Sequence, residues 1–523
     1  MEIFDNCNKT YFGLDFGTHS SIMAVYDGEE SSTVMYPSAY SGGLPSLFWR
    51  DSSGHEYICD EVSERNGLVE DPNGICSSIK MKLRENRIKL NGHNYKASDI
   101  AIKELKYILN KSEKCFDEDF IKMDFDRLVV GTPVGFNAAQ KGELLSILKK
   151  ATGNKKIRLV PEPILAAIAY SKTAQKKGYI PRDILVYDLG AGTFDCAYLQ
   201  PNLMPNADNP YPYSVKSQNG SDKAGDLIDK LLSELIIEKL KSISKFKVDE
   251  YVNKTHAASR YLLIKSKELK EKLSNLETVK ATIAFPGCSN ATIEISRSEF
   301  EKKIEPVIGS SVDIVCSVLN DSENPQNFDI LLVGGSSYIP CIQKVLLNRL
   351  KDKYNLNEKN IFRKLPEKAV AMGAAIFAAE PNITCVQTIY GYGFLVFDEV
   401  KEHDIINICM PSNVNLPETL IDYYYTRYSN QTEIEVPVYE VKDAKLNDTI
   451  DYTNEAEHPP YSQKYCITHS FGKEVPKNTP IKFTTTLTES GTLSIEVDDM
   501  GISEITVHEI KLTNISSGGK WYV

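Results

Sequence analysis

The stretch Tyr11–Ser21, YFGLDFGTHSS, carries a carboxylate at the end of a run of strand formers and follows it with a Gly-Thr pair. The same device returns at Leu185–Asp195, LVYDLGAGTFD. In each copy glycine permits close approach, and successive N–H groups with a threonine hydroxyl converge on one spot, which suits a phosphate. A carboxylate beside that cradle would repel phosphate directly, so its fitting task is to hold a divalent cation through water, as Mg²⁺ prefers. A single Asp-Gly hairpin is a common structural turn. Two copies in strand context, with a third glycine-rich turn in ILLVGGSSYIP (330–340), are far less expected by chance than one.

Periodicity predicts the elements that position these turns: strands at 11–15, 22–26, 127–132, 184–188 and 193–199, and helices at 98–115, 137–151, 161–174, 224–242, 255–274, 298–320, 339–353 and 367–379. Strands alternating with helices give an α/β class. After AVAMGAAIFAAE the composition turns to β-branched and aromatic residues broken by Pro, Asn and Gly, with segments such as TEIEVPVYEV, PIKFTTTLT and GTLSIEVDD that alternate in polarity. The expected organisation is an α/β domain over 1–380, a linker over 381–393 and an all-β domain over 394–523. At 523 residues the chain exceeds what one core supports, about 250 to 300 residues.

Several classes are set aside. The net charge of −11, with no basic tract, does not suit nucleic acid. No apolar run reaches about 18 residues, so no membrane span is expected. The eight His form no HExxH or paired arrangement, and the eleven Cys form no CxxC pair, which suits reduced thiols in a cytoplasmic protein. The acidic start MEIFDNCNKT lacks the basic region of a signal peptide.

The two Asp-Gly-Thr turns, the helix PEPILAAIAY (161–170), the turn VGGSSYIP and the helix AVAMGAAIFAA (369–379) resemble the five motifs of the actin-fold ATPases. Within that fold, LVVGTPVGFNAAQ, EPILAAIAY, NVNLPETLIDYYYTRYSNQTEIEVPVYE and VPKNTPIKFTTTLTESGTLSIEVDD resemble segments of the seventy-kilodalton heat-shock, or DnaK-type, chaperones. The resemblance implies a two-lobed actin-like (duplicated RNase H-like) ATPase domain followed by a β-sandwich peptide-binding domain. It implies an Mg²⁺-dependent ATPase that uses ATP and ADP, with K⁺ as a further candidate ion. Its partners would be extended apolar polypeptides, J-domain proteins and exchange factors.

Carried over residue by residue, the resemblance makes Lys80, Glu162, Asp188 and Thr193 catalytic and gives Asp15 and Asp188 the Mg²⁺ with its water shell. Gly17, Thr18, His19, Gly190, Ala191 and Gly192 form the phosphate cradle. Gly225, Gly334, Gly335 and Ser336 match backbone contacts to the nucleoside, Lys270 and Ser274 its ribose and adenine contacts, and Tyr338 and Glu367 border the base. A surface lysine on a basic helix is the alternative reading of Lys80. Ile434 falls at the central peptide pocket, or is a plain core residue.

The departures are as informative. Ala191 interrupts a glycine triplet, His19 replaces a Thr, Lys267 replaces a Glu of the adenine pocket, and Glu271 and Tyr338 stand where two Arg side chains sandwich adenine. Lys141 replaces an Arg that helps couple nucleotide state to the linker, and EPNITCVQTIYGYGF lacks the family's Leu run. With Val523 as its last residue the sequence reads as lidless. Two functions follow: an ATP-driven chaperone, or a nucleotide-binding exchange factor or regulatory module with little hydrolysis. A small-molecule kinase on the same fold is more distant, having no use for the β domain.

Overall fold

The computed structural model describes residues 10–26, 33–35, 43–65, 71–85, 87–118, 128–153, 156–176, 182–202, 212–243, 248, 256–284, 290–322, 325, 328–363, 367–452 and 461–510. They form two compact units, one of residues up to 135 with 148–384, the other of 136–147 with 385–523.

The first unit holds two sheets of the same topology. In one, β1 (Tyr11–Phe16), β2 (Ser20–Tyr26) and β3 (Thr33–Met35) run antiparallel, and β5 (Leu128–Thr132) and β6 (Arg158–Pro161) continue parallel from the other side of β1. The two-residue strand β4 (Leu44–Pro45) pairs with β2. In the other sheet β7 (Ile184–Leu189), β8 (Phe194–Pro201) and β9 (Tyr213–Ser221) are antiparallel, and β10 (Asp329–Val333) and β11 (Ile361–Phe362) continue parallel from β7. Each glycine turn is thus the hairpin after the central strand of its sheet. That is why the device occurs twice.

Helices cover the sheets: α1 (Ala97–Glu118), α3 (Glu162–Lys176), α4 (Gly225–Ile243), α5 (His256–Asn275), α6 (Arg297–Asn320), α7 (Pro340–Tyr354) and α8 (Ala369–Ala379), with α2 (Ala138–Thr152) divided between the units. β7 is buried along its whole length, as a strand covered on both faces must be. The small residues of α8 let it press on α3: a Cβ on Gly373 would lie 1.8 Å from the Leu165 carbonyl oxygen. α6 starts at a capping box, Ser296 accepting from the Glu299 N–H while the Glu299 carboxylate accepts from the Ser296 N–H. A hairpin at Thr278–Ile283 and Ala291–Ser296, between α5 and α6, was not anticipated from the sequence.

The second unit is a sandwich. One sheet has the order β16 (Thr449–Asp451), β13 (His403–Met410), β12 (Tyr390–Asp398), β15 (Gln431–Lys442), β17 (Tyr461–Val475). The other runs β14 (Glu418–Tyr425), β18 (Pro480–Leu487), β19 (Leu493–Asp498), β20 (Thr506–Glu509). Alternate residues of β18 and β19 are buried. Phe394, Tyr424 and Phe483 join the sheets, with ring centroids 5.1 to 5.7 Å apart. Strand begins at Tyr390, inside the stretch read as linker. Residues 136–147 pack with this unit: the Asn137 amide donates to Glu440 Oε2 at 3.1 Å, and Lys141 is 5% exposed.

Among the described residues no helix is long and apolar enough to cross a membrane. Among the described residues none of the nine cysteines is in a disulfide, while Cys7 and Cys288 lie outside the described residues.

Candidate active site

Between the two glycine turns of the first unit lies a cleft of about 900 Å³. Its lining includes Asp15, Gly17, Thr18, His19, Lys80, Glu162, Asp188, Gly190, Ala191 and Thr193 at one end. Lys270, Ser274, Gly334, Gly335, Ser336, Tyr338 and Glu367 also line it. Gly192 and Gly225 sit just behind the lining. A Cβ on Gly192 would lie 2.7 Å from Thr18 Oγ1, so the two turns meet there, and the Gly225 N–H donates to the Gly190 carbonyl at 3.0 Å. Gly334 has φ +79 and approaches so closely that a Cβ would lie 2.4 Å from the Leu189 carbonyl oxygen, a position only glycine can fill. Ala191 does not have a positive φ, so an alanine takes this position without left-handed backbone strain.

Lys80 is not on the surface. It sits in a 3₁₀ turn, is 2% exposed, and its Nζ donates to Glu162 Oε1 at 2.6 Å, Glu162 being the first residue of α3. Around this pair stand Asp15, Asp188 and Asp195. Burial, then the charge of Glu162, raises the Asp15 carboxyl to about 7, and Lys80 only partly offsets this. Burial and the same charge raise Asp195 to about 7, and they raise Asp188 well above the carboxylate range. Four carboxyl groups therefore share one ammonium, an arrangement that a cation would relieve.

The donor set fits Mg²⁺. Oδ2 of Asp195 is buried with no hydrogen-bond partner, an acceptor that the water shell of such an ion would meet.

Burial and then the charges of Lys267 and Lys270 pull His19 down to about 3, so its imidazole is neutral. Lys270 Nζ lies 2.8 Å from Asp229 Oδ1. Tyr338 is 41% exposed, which leaves its ring open to a planar group. Ile434, by contrast, belongs to the second unit and is 1% exposed, on β15 opposite His469 of β17.

A model of the family described as "Hsp70 protein" matches residues 74–448, well over half of the sequence. The chain belongs to the Hsp70 family. Similar proteins include the "Chaperone protein DnaK" of Mycoplasma mobile, 27% identical over 437 residues that cover 82% of this chain and 67% of the relative. The protein of the same name from Mesomycoplasma hyopneumoniae is 26% identical over 452 residues (82% and 68%), and that of Metamycoplasma hominis 25% over 440 (82% and 68%).

Set within the Hsp70 family, the cleft contains residues that the motifs did not single out. Asp195 closes the string LVYDLGAGTFD, and its Oδ1 accepts from the Val134 N–H at 2.7 Å. It pairs in register with Asp188 across the β7–β8 hairpin, so a second carboxylate opposite the first was there to be read. Asp229 sits four residues beyond Gly225, one turn along α4 on the same face, and could have been found by helical spacing. Arg363 also lines the cleft, from the residue after a two-residue strand, where no periodicity marks it.

Proposed function

We propose that this chain is an ATP-dependent chaperone of the DnaK type: an actin-like, two-lobed ATPase domain controls how a β sandwich holds extended apolar polypeptide. The observation that carries this is Lys80, buried and held at 2.6 Å on Glu162 among Asp15, Asp188 and Asp195, between two equivalent glycine turns. A module that only bound nucleotide would have no use for a fixed ammonium there.

In this reading Gly17, Thr18, Gly190, Ala191, Gly192 and Thr193 cradle the phosphates of ATP. Asp15, Asp188 and Asp195 hold Mg²⁺ through its waters, and that ion would neutralise charge on the phosphate oxygens. Lys80 places a point charge where charge develops on phosphoryl transfer. Glu162 fixes Lys80 and keeps a carboxylate near the attacking water. Gly225, Gly334, Gly335, Ser336, Lys270 and Ser274 hold the nucleoside, with Tyr338 stacked on the base and Glu367 at the mouth. K⁺ would find the remaining carboxylate oxygens.

The sandwich would take a peptide in extended form, backbone hydrogen bonds giving affinity and an apolar pocket selecting one side chain. Ile434, packed at 1% exposure, would form the floor of that pocket. Polypeptide clients, J-domain proteins and exchange factors are the partners this mode of action calls for, and its free thiols suit the cytoplasm.

The test is calorimetric titration of the full chain with ADP, with and without Mg²⁺, followed by a single-turnover assay with ATP. Mg²⁺-dependent binding followed by release of phosphate is expected. Binding without any turnover would overturn the ATPase, and no binding would overturn the whole reading.

A further inference from the structure

Among the described residues Arg363 is the one arginine in the cleft lining, and the resemblance assigns it no role. It follows the strand Ile361–Phe362 and shares its end of the cleft with Tyr338 and Glu367. The Arg363 guanidinium lies near enough to the Tyr338 hydroxyl to influence it electrostatically. Two of its nitrogens, Nε and Nη2, are shielded from water and have no hydrogen-bond partner. Donors withdrawn from water without an acceptor are costly. A long side chain that already lines the cleft needs only a turn about its outer torsions to meet an acceptor arriving there.

The chemistry of those acceptors is constrained. A guanidinium offers neighbouring N–H groups in one plane, a fork that pairs with two acceptors side by side. The purine edge that carries N7 offers such a pair in guanine, O6 with N7. In adenine the same edge offers N7 beside an amino group, a donor facing a donor. A tyrosine ring stacks on either base. The sandwich that would favour adenine by stacking is missing, since Glu271 and Tyr338 occupy its positions, and Arg363 follows a different element, the strand Ile361–Phe362.

Resting on the nucleotide-site reading above, we propose that Arg363 reads the nucleobase, donating to the N7 edge of a purine, and that it makes the site accept guanine and hypoxanthine nucleotides at least as well as adenine nucleotides. Glu271 and Glu367 also line the cleft, and their carboxylates could accept from the N2 amino group of guanine. Hypoxanthine lacks that group but keeps O6 and N7, so it isolates the contribution of Arg363.

The experiment is calorimetric titration of the full-length wild type, Arg363→Ala and Arg363→Lys with the Mg²⁺ complexes of ADP, GDP and IDP. Melting of each variant without nucleotide confirms that it is folded. Wild type should bind GDP and IDP as tightly as ADP or tighter. Arg363→Ala should weaken GDP and IDP by about tenfold or more and ADP by clearly less, since a bidentate contact discriminates by at least that much. Arg363→Lys, which keeps charge but not the fork, should behave like the alanine variant toward GDP and IDP. Equal losses for all three nucleotides would overturn base reading in favour of a charge contact to ribose or phosphate, and unchanged affinities would remove Arg363 from the site. A wild type that binds ADP far better than GDP and IDP would also overturn the inference, leaving the ATPase reading intact. Failure to bind any of the three would overturn both.

Discussion

Replacing Lys80 with alanine removes the ammonium that serves a group of four carboxyls, three of them buried. The lysine is 2% exposed and its partner Glu162 9%, at 2.6 Å, so solvent screens little of their interaction. Losing one partner of such a pair ordinarily costs about 3 to 5 kcal/mol of stability. Here the cost is smaller, because Asp15 and Asp195 already sit at about 7 and can take up protons instead. Catalysis has no such escape. A preorganised charge aimed at developing negative charge is worth about 2.7 to 4 kcal/mol, or roughly a hundred- to a thousandfold in rate. Lys80→Ala should therefore slow single-turnover ATP hydrolysis by about a hundredfold or more, while Mg²⁺–ADP affinity shifts by less than about tenfold because both glycine turns remain. Rapid-quench hydrolysis and titration of the same preparation read the two effects separately. The double variant Lys80→Ala/Glu162→Gln should regain melting temperature without regaining turnover. Hydrolysis by Lys80→Ala within about threefold of wild type would refute the reasoning.

Three other outcomes are expected. Tyr338→Ala should weaken ATP and ADP equally, by up to roughly tenfold for the loss of about 1.4 kcal/mol of stacking, and unchanged or unequal affinities in titration would contradict a ring on the base. Glu104 is fully buried, both its oxygens lack partners, and burial raises it to about 8. Its folded value lies above the unfolded one, so the penalty is absent in acid and grows as pH rises through about 8. Glu104→Gln should thus melt increasingly above wild type from about pH 5 to about pH 8, and a difference independent of pH would contradict this. In the sandwich, His469 Nε2 and Asp499 Oδ2 lie 3.1 Å apart with both side chains 1% exposed, and Ser503 donates to the same oxygen at 2.7 Å. Asp499→Ala should lower the melting of this unit by roughly 10 °C, with Asp499→Asn milder, and a change under about 2 °C would show the pair to be dispensable.

Much of the first unit was legible because its elements are long and strongly periodic, and because both glycine turns follow largely apolar strands that each carry a single Asp. Ala191 reads from sequence as a difficulty for the second turn. The structure gives it no positive φ, so the turn does not require glycine's backbone freedom at this position. Lys80 could not be told from a surface lysine, since its burial depends on Glu162, 82 residues away. Asp195 and Arg363 escaped for opposite reasons: the first looks like an ordinary alternating strand residue, and the second belongs to no periodic element. The packing of residues 136–147 with the sandwich was illegible too, since the bond from Asn137 to Glu440 spans 303 positions and leaves no local pattern.

The central claim is that ATP turnover in the first unit and peptide capture in the second serve one activity. Single-turnover hydrolysis of ATP by the full chain, measured with and without a saturating extended apolar peptide, tests it most directly. The account predicts measurable turnover that rises several-fold with the peptide and not with a charged peptide of equal length. Tight ATP binding with no turnover, or a turnover rate indifferent to the peptide, would contradict it.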